Sequence, residues 1–443
     1  MASKGVGQEK AADSAWRQLI AKYHIDREVS ERGTFFIGAD QIKEFREPRL
    51  MAKWDSEESL PAVLKEKRLN LLPVSRKAYV MSDFALYQKL PPFGEAERKM
   101  EEIHFKSRYE SVNLQEISSE SNAINVLLLS DVLDRFLESE GTVETFNGRM
   151  GTGSFDFEVN SYTGTPRRVA VEGAQCEIDG GFENDSHVII MEAKNVLHPD
   201  FHVRQLYYPY RLWMSRVKKP IRLVFSQYVN QIYRLLEYRF DDPMDYSSIR
   251  LIKKACYSLA PVQITEENLY QLWKETDVLT DDSQCGQGNT PPFPQADSMW
   301  RVISLLEQLA EQDMTTEEIA ERMQFRVRQS DYYFNAGAYL GLFQKVTTKE
   351  GVVVKLSSLG RKVYAMPYRD RQLKLAALLL EHRIFHDLFG QMVVGGKVPE
   401  KSKIVDEMMR SSVCSESVAR RRASTVASWL RWMQGLTQSE ENQ

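Results

Sequence analysis

The chain comprises 443 residues, of which 42% are hydrophobic and 27% charged, and carries a formal net charge of −4. That length exceeds one ordinary core at about 100–200 residues per domain and predicts several units, while the composition is globular and has no run of the ~20 apolar residues that a membrane span needs. The opening MASKGVGQEKAADSAW lacks the apolar stretch of a secretion signal, and Cys176, Cys256, Cys285 and Cys414 are too scattered for a metal pair or a disulfide framework, so a reducing cytoplasm is expected.

In chain order, residues 14–92 read as a small mixed unit. SAWRQLIAKYHI has helical spacing, GTFFIGADQIKEF a strand leading into a helix opened by Asp40, and LNLLPVSRKAYVMSDF a hairpin. Two prolines and a glycine in KLPPFGEAERK end this unit, because neither residue suits an element interior. The run from 94 to 110 is charged enough for a solvated helix, and SNAINVLLLSDVLDRFLESEG has an apolar helical face. GTVETFNGRM, GSFDFEV, RRVAVEGAQCEIDGG and HVIIMEAKN read as strands. DFHVRQLYYPYRLWMSRVK follows as a helix, then PIRLVFSQYV, QIYRLLEYRF and SIRLIKKACYSLA as strands. Helix, meander, helix, strand is an α/β pattern around a mixed sheet.

Residues 281–297, rich in Gly, Pro, Gln and Asp, read as an exposed linker. Beyond them MWRVISLLEQLAEQ, TTEEIAERM and RQSDYYFNAGAYLGLF predict three helices, and QKVTTKEGVVVKLSSLGRKVYA a hairpin, which is the winged-helix order. A last helical unit runs on from Arg369. The expected boundaries are therefore 1–93 for a mixed α/β unit contacting nucleic acid, 94–280 for the central α/β unit, 281–297 for the linker, 298–368 for the winged helix and 369–443 for a helix-turn-helix-like unit.

Chemistry concentrates in AQCEIDGGFENDSHVIIMEAKN. Strand alternation places Gln175, Glu177 and Asp179 on one face of one strand, and Glu192 and Lys194 on one face of the next. Paired acidic oxygens suit Mg²⁺, which takes oxygen ligands and keeps several waters for a phosphate-bearing substrate, and a neighbouring lysine orients the attacking water or offsets charge. Glu97-Arg98-Lys99 has the same acid-x-lysine spacing in a charged run, where solvation accounts for it. Glu192-Ala193-Lys194 instead interrupts an apolar strand, where unpartnered charges would cost several kcal/mol.

Asp179, then HVIIMEAK with Glu192, Ala193 and Lys194, then a helix carrying Gln205, resembles the nuclease core of the PD-(D/E)XK superfamily, the group that contains most type II restriction endonucleases. The resemblance spans about 115–260. It implies a restriction-endonuclease-like core in which Asp179, Glu192 and the Ala193 carbonyl bind Mg²⁺, Lys194 assists the attacking water, and a phosphodiester is cut. Two departures stand in the sequence: Ile178, not proline, precedes Asp179, and Pro209 occupies the position that the Gln-containing helix of recombination-type nucleases gives to tyrosine. Glu177, Gln175, Gln205 and Glu120 are supporting candidates, with Glu120 better suited to a simple helix N-terminal role.

Near-neutral charge excludes an overall basic coat but not a basic cleft. Arg46, Arg49, Lys53, Arg76 and Lys77 suit phosphate contacts. In the winged-helix segment Arg326, Arg328, Gln329, Ser330 and Asn335 stand near the start of the recognition helix, and Arg420 and Arg421 on a later helix suit phosphate. Solvated surface also explains the first and last sets, and a winged helix can instead serve as a dimerisation module. His198 with His202, and His382 with His386, have helical metal-ligand spacing but no third ligand. The expectation is a Mg²⁺-dependent, site-specific endonuclease of double-stranded DNA, a type II restriction enzyme acting as a homodimer in a bacterial or archaeal cytoplasm beside a cognate methyltransferase, with no membrane association. The alternatives are a modification-dependent or repair nuclease on the same core and a non-catalytic winged-helix regulator.

Overall fold

The computed structural model describes residues 11–92, 100–105, 109–112, 114, 117, 119–280, 282–288, 290–324, 326–349 and 351–437. It is a mixed α/β protein built on a central seven-stranded sheet in the order Glu101–Glu102, Ile249–Ser258, Ile232–Phe240, Ile221–Val229, Val188–Lys194, Gln175–Glu183 and Val143–Gly151. Two neighbouring pairs run parallel: Val188–Lys194 with Ile221–Val229, and Glu101–Glu102 with the end of Ile249–Ser258. The other pairs are antiparallel. Parallel neighbours need a crossover, and the helix Arg204–Met214 supplies it.

The apolar run HVIIME is explained by burial on both faces, as in parallel sheets generally. Ile190 packs with Leu206, Tyr208 and Leu212 of the crossover helix and with Phe225. Ile189 and Met191 point the other way, into a core with Leu127, Leu133 and Phe136. Those last three belong to helices Glu120–Leu129 and Val132–Leu137, which the sequence suggests as one helix. Ser130 and Asp131 break it, Asp131 taking a left-handed φ of 56°.

The segment RRVAVEGAQCEIDGG is two strands and not one, parted at Gly173 with φ +67°. Pro166–Glu172 pairs with Ser154–Asn160 as a separate hairpin outside the main sheet. The helix expected over 94–110 is not what the described part shows. Residues 94–99 and 106–108 lie outside the described residues, and Glu101–Glu102 is a strand beside Tyr257–Ser258.

The N-terminal unit holds helices Ala11–Tyr23 and Ile25–Arg32 and a three-stranded antiparallel sheet of Phe35–Gly38, Ala78–Ser82 and Asn70–Pro73. Trp16, Leu19, Ile42, Met51 and Met81 fill its core. A short strand Tyr87–Lys89 joins it to the central unit by pairing with Asp200–His202.

At the other end, helices Met299–Glu311, Thr316–Arg322 and Val327–Tyr339 precede the hairpin Phe343–Thr348 and Gly351–Leu356. Thr315 caps the second helix in a reciprocal box with Glu318. Helices from Ser358 to Gly435 pack around the same core, with Trp429 fully buried. The 281–297 segment is an exposed linker only in its middle, where Gln284, Gly286, Gln287, Gly288, Thr290 and Pro292 are exposed; among the described residues, parts of its two ends are packed. Asp282 is 1% exposed and accepts from Tyr339 Oη at 2.7 Å, His382 Nδ1 lies 2.9 Å from it, and Phe293 and Ala296 enter the core. No helix among the described residues is long and apolar enough to cross a membrane.

Candidate active site

The ladder between Val188–Lys194 and Gln175–Glu183 ends at Met191 opposite Gly180. The next residues, Glu192 and Asp179, therefore stand where two central strands separate. Ala193 N–H, past the end of that ladder, donates to Asp179 Oδ2 at 2.9 Å, which fixes the carboxylate against the neighbouring strand. Alternation puts Glu192 and Lys194 on the side of Ile190, facing the crossover helix. There Lys194 Nζ and Gln205 Nε2 both donate to Glu192 Oε1. Glu192 is 5% exposed and Lys194 is also largely buried.

Burial works against both charges, with different results. Burial pushes the Glu192 carboxyl well above its ordinary range and nearby Asp179 adds to that, while Lys194 opposes it. For Lys194 burial opposes the charge, but Glu192, Asp179, Glu120 and Asp55 outweigh it and hold the ammonium charged. Glu120 opens the helix Glu120–Leu129 behind the Ser119 cap and lines the same cleft. Burial raises its pKa too, with Asp179 raising and Lys194 lowering it. The site thus gathers several carboxylates about one lysine, an excess of negative charge that a hard divalent cation relieves.

A cleft of about 490 Å³ opens onto these residues, lined from the central unit by Arg149, Gln175, Glu177, Arg204 and Gln205 and from the N-terminal unit by Arg49, Lys53, Asp55, Ser75, Arg76 and Tyr79. The expected residues divide accordingly. Asp179, Glu192, Lys194, Glu120, Gln175, Glu177 and Gln205 come together in one cleft, joined by Arg49, Lys53 and Arg76. Arg46 and Lys77 do not line it. Glu177 is held by cations and not turned to the acidic cluster, with Arg149 Nε at 3.2 Å and Lys53 Nζ at 3.9 Å.

In the C-terminal half the expected DNA-reading face is partly covered. Ser330 is 0% exposed, and Gln329 Nε2 donates to Glu58 Oε1 at 2.7 Å. Arg301 donates to Glu58 Oε2 at 2.8 Å, so the start of this helix packs against the N-terminal unit. Burial withdraws Ser330 from the surface, and the bond to Glu58 ties half-buried Gln329 to the N-terminal unit. Arg326 and Arg328 are exposed and Asn335 is half-buried, with the Arg328 guanidinium over the Tyr332 ring. Arg420 pairs with Glu416 one turn earlier, and Arg421 is exposed.

Asp55, Arg149 and Arg204 were not among the expected residues. Arg204 directly precedes Gln205, and that adjacency was a usable signal; Arg149 reaches the cleft only through its pairing opposite Glu177. Asp55 reaches it only through the contact of two units. His198 is buried close by, and burial with Lys194 holds it neutral, its pKa depressed to about 3. His202 ends a short strand, so its spacing from His198 is not helical.

The donor set at the site is all oxygen, which fits Mg²⁺. Asp55 Oδ1 and Gln205 Oε1 are shielded from solvent and have no donor among the described residues. Among the described residues no three His, Cys, Asp or Glu side chains form a ready cage, so protein ligands alone do not complete a coordination shell.

Residues 13–81, 82–258 and 301–438 match three family models, each described as a domain of unknown function: DUF6996, DUF6997 and DUF7226 respectively. No curated protein and no solved structure matches the chain. Asp179, Glu192, Lys194 and Gln205 fall in the second of these segments, whereas Arg49, Lys53, Asp55 and Arg76 fall in the first. The cleft is shared between them.

Proposed function

We propose that this protein is a Mg²⁺-dependent endonuclease that hydrolyses phosphodiester bonds of double-stranded DNA, of the type II restriction kind, on a restriction-endonuclease-like core. The observation that carries the reading is the convergence of Asp179, Glu192 and Lys194 where two central strands part, at the floor of a cleft walled by Arg49, Lys53, Arg76, Arg149 and Arg204. A scaffold or regulator gains nothing from burying that excess of carboxylates, and apolar residues would serve it better.

Asp179, Glu192 and the Ala193 carbonyl would hold the cation. A strand residue's N–H and C=O point to the same edge, so the Ala193 carbonyl faces the gap into which its N–H donates. Bound Mg²⁺ supplies Lewis-acid polarisation of the phosphoryl group and neutralises charge at the leaving oxygen. Lys194, kept as an ammonium by its acidic neighbours, orients the attacking water by hydrogen bond and offsets charge on the phosphoryl oxygens. Gln205 holds the Glu192 carboxylate in place. The arginines fix the flanking phosphates, which positions the backbone without reading bases. Attack forms one P–O bond and breaks the ester P–O bond, and the proton lost by the water balances the one taken by the leaving oxygen.

Cutting both strands at one site needs two such centres, which a symmetric homodimer provides. A cognate methyltransferase is the corresponding system partner, in a bacterial or archaeal cytoplasm. The test is incubation of unmethylated plasmid or phage DNA with Mg²⁺, with EDTA, and with Asp179→Ala and Lys194→Ala variants. Discrete Mg²⁺-dependent fragments that both variants abolish are expected; binding without cutting across several DNAs and metals would refute the reading and favour a DNA-binding regulator.

A further inference from the structure

The Asp55 loop belongs to the N-terminal unit yet is fixed to the strand that leads into the Gln205 helix. His202 N–H donates to the Asp55 carbonyl at 3.0 Å, and Glu57 N–H donates to Asp200 Oδ1 at 2.8 Å. Tyr87 Oη donates to the Trp54 carbonyl at 3.0 Å, and Tyr87 itself lies on the strand paired with Asp200–His202. Two bonds across the unit boundary, and a third from the strand that pairs with Asp200–His202, hold one short loop in register with the Gln205 helix.

That anchoring presents a carboxylate to the cleft. Asp55 lines it together with Asp179, Glu192 and Lys194, and its charge acts on both Glu192 and Lys194. Its Oδ1 is shielded from solvent and finds no donor among the described residues. Gln205 Oε1, in the same cleft, is in the same condition while its amide nitrogen serves Glu192. Leaving a buried acceptor without a donor is costly, and more so when it is charged, so two of them in one cleft point to a donor that the described residues do not contribute.

We infer that Asp55 and Gln205 accept hydrogen bonds from the water shell of the divalent cation held by Asp179 and Glu192, so that the N-terminal unit completes the catalytic centre. This rests on the nuclease reading above. Mg²⁺ retains several waters when few protein ligands bind it, and those waters are the donors that the two oxygens lack. Asp55 is therefore a positioning residue, acting on the cation through water. Residues that orient a metal's surroundings in this way typically change metal affinity 10–100-fold when replaced.

The experiment is Mn²⁺ titration of the full chain without DNA, following free Mn²⁺ by electron paramagnetic resonance, for wild type, Asp55→Asn, Asp55→Ser and Glu192→Gln. Thermal melts identify which variants fold, and Asp55→Ser serves where Asp55→Asn does not. We expect a ten- to hundredfold weaker Mn²⁺ affinity in the Asp55 variants. In cleavage assays the Mg²⁺ concentration for half-maximal rate should rise by the same factor, with the rate at saturating Mg²⁺ within a few-fold of wild type. Equal Mn²⁺ affinity in wild type and folded Asp55 variants, with binding lost in Glu192→Gln, would overturn the role of Asp55 and leave the nuclease reading standing. No Mn²⁺ binding by wild type, and no cleavage, would overturn both.

Discussion

Replacing Lys194 and replacing Glu192 should have different consequences for stability, although on the proposed reading both should abolish cleavage. The side chains are 13% and 6% exposed and in direct contact. Lys194→Met leaves Glu192 buried beside Asp179, with Gln205 as its remaining neutral donor. Loss of one partner of a buried pair costs about 3–5 kcal/mol. Glu192→Gln instead keeps the shape and one acceptor oxygen, removes one of the crowded carboxylates, and leaves Lys194 in the field of Asp179, Glu120 and Asp55. It should cost less than about 1 kcal/mol, or stabilise, as neutral replacement in buried ionic clusters often does. The pH dependence separates the two further. A carboxyl whose folded pKa lies above its ordinary 4.5 favours the native state when protonated, so that contribution is complete below pH 4.5 and is lost as pH rises toward the folded value. Cation-free wild type should lose stability over that rise, Glu192→Gln should lose less, and Lys194→Met more. Urea denaturation at several pH values with EDTA reads all three. Equal losses for both variants at neutral pH would refute the account of Lys194 as the neutralising partner.

Asp179→Asn should leave stability within about 1 kcal/mol, because an amide oxygen still accepts from Ala193 N–H, while cutting cleavage at least about a hundredfold; a purely structural Asp179 would show the reverse in parallel melts and plasmid assays. Arg49→Ala, Lys53→Ala and Arg76→Ala together should weaken DNA binding with little change among sequences and reduce the slope of log affinity against log salt by up to about 2.7, measured by fluorescence anisotropy with EDTA. Gly181→Ala should destabilise by about 1–3 kcal/mol, since a Cβ there would sit 2.1 Å from the Phe146 ring, itself stacked on Trp213 at 3.7 Å; Phe146→Leu in the same chain should recover part of the loss in urea titration. 

What was legible in the sequence follows from how local each signal is. Asp179, Glu192 and Lys194 were visible because charge at the end of an apolar strand contradicts the strand's own pattern. The central strands and the order of helices and hairpin after Met299 were visible for the same reason, as periodicity is written locally. In the 281–297 segment Gly286, Gly288 and Pro292 are exposed as their composition suggests, but composition does not reveal that Asp282 and Phe293 are buried, because that burial depends on distant partners. Ser330 and Gln329 misled because a helix start looks free until another unit, here through Glu58, lies against it. Asp55 carries no local sign at all. Its surroundings in KWDSEES are polar and irregular, and its place beside Lys194 depends on bonds to His202 and Asp200, about 145 residues away along the chain.

The same distinction explains how a site so rich in carboxylates is tolerated. Glu192, Asp179, Glu120 and Asp55 come from three separate stretches of chain, and each is fixed by structure that does not depend on the others. Ala193 N–H holds Asp179, Gln205 and Lys194 hold Glu192, the Ser119-capped helix carries Glu120, and the loop bonds to His202 and Asp200 carry Asp55. Repulsion among them is therefore met by two packed cores and a strand pairing, not by local bonds alone. A chain relieved of that repulsion would be more stable, and such strain is retained where function requires it. On the proposed nuclease reading, the carboxylate excess and the two oxygens without a donor among the described residues would share one cause, a cation and its waters.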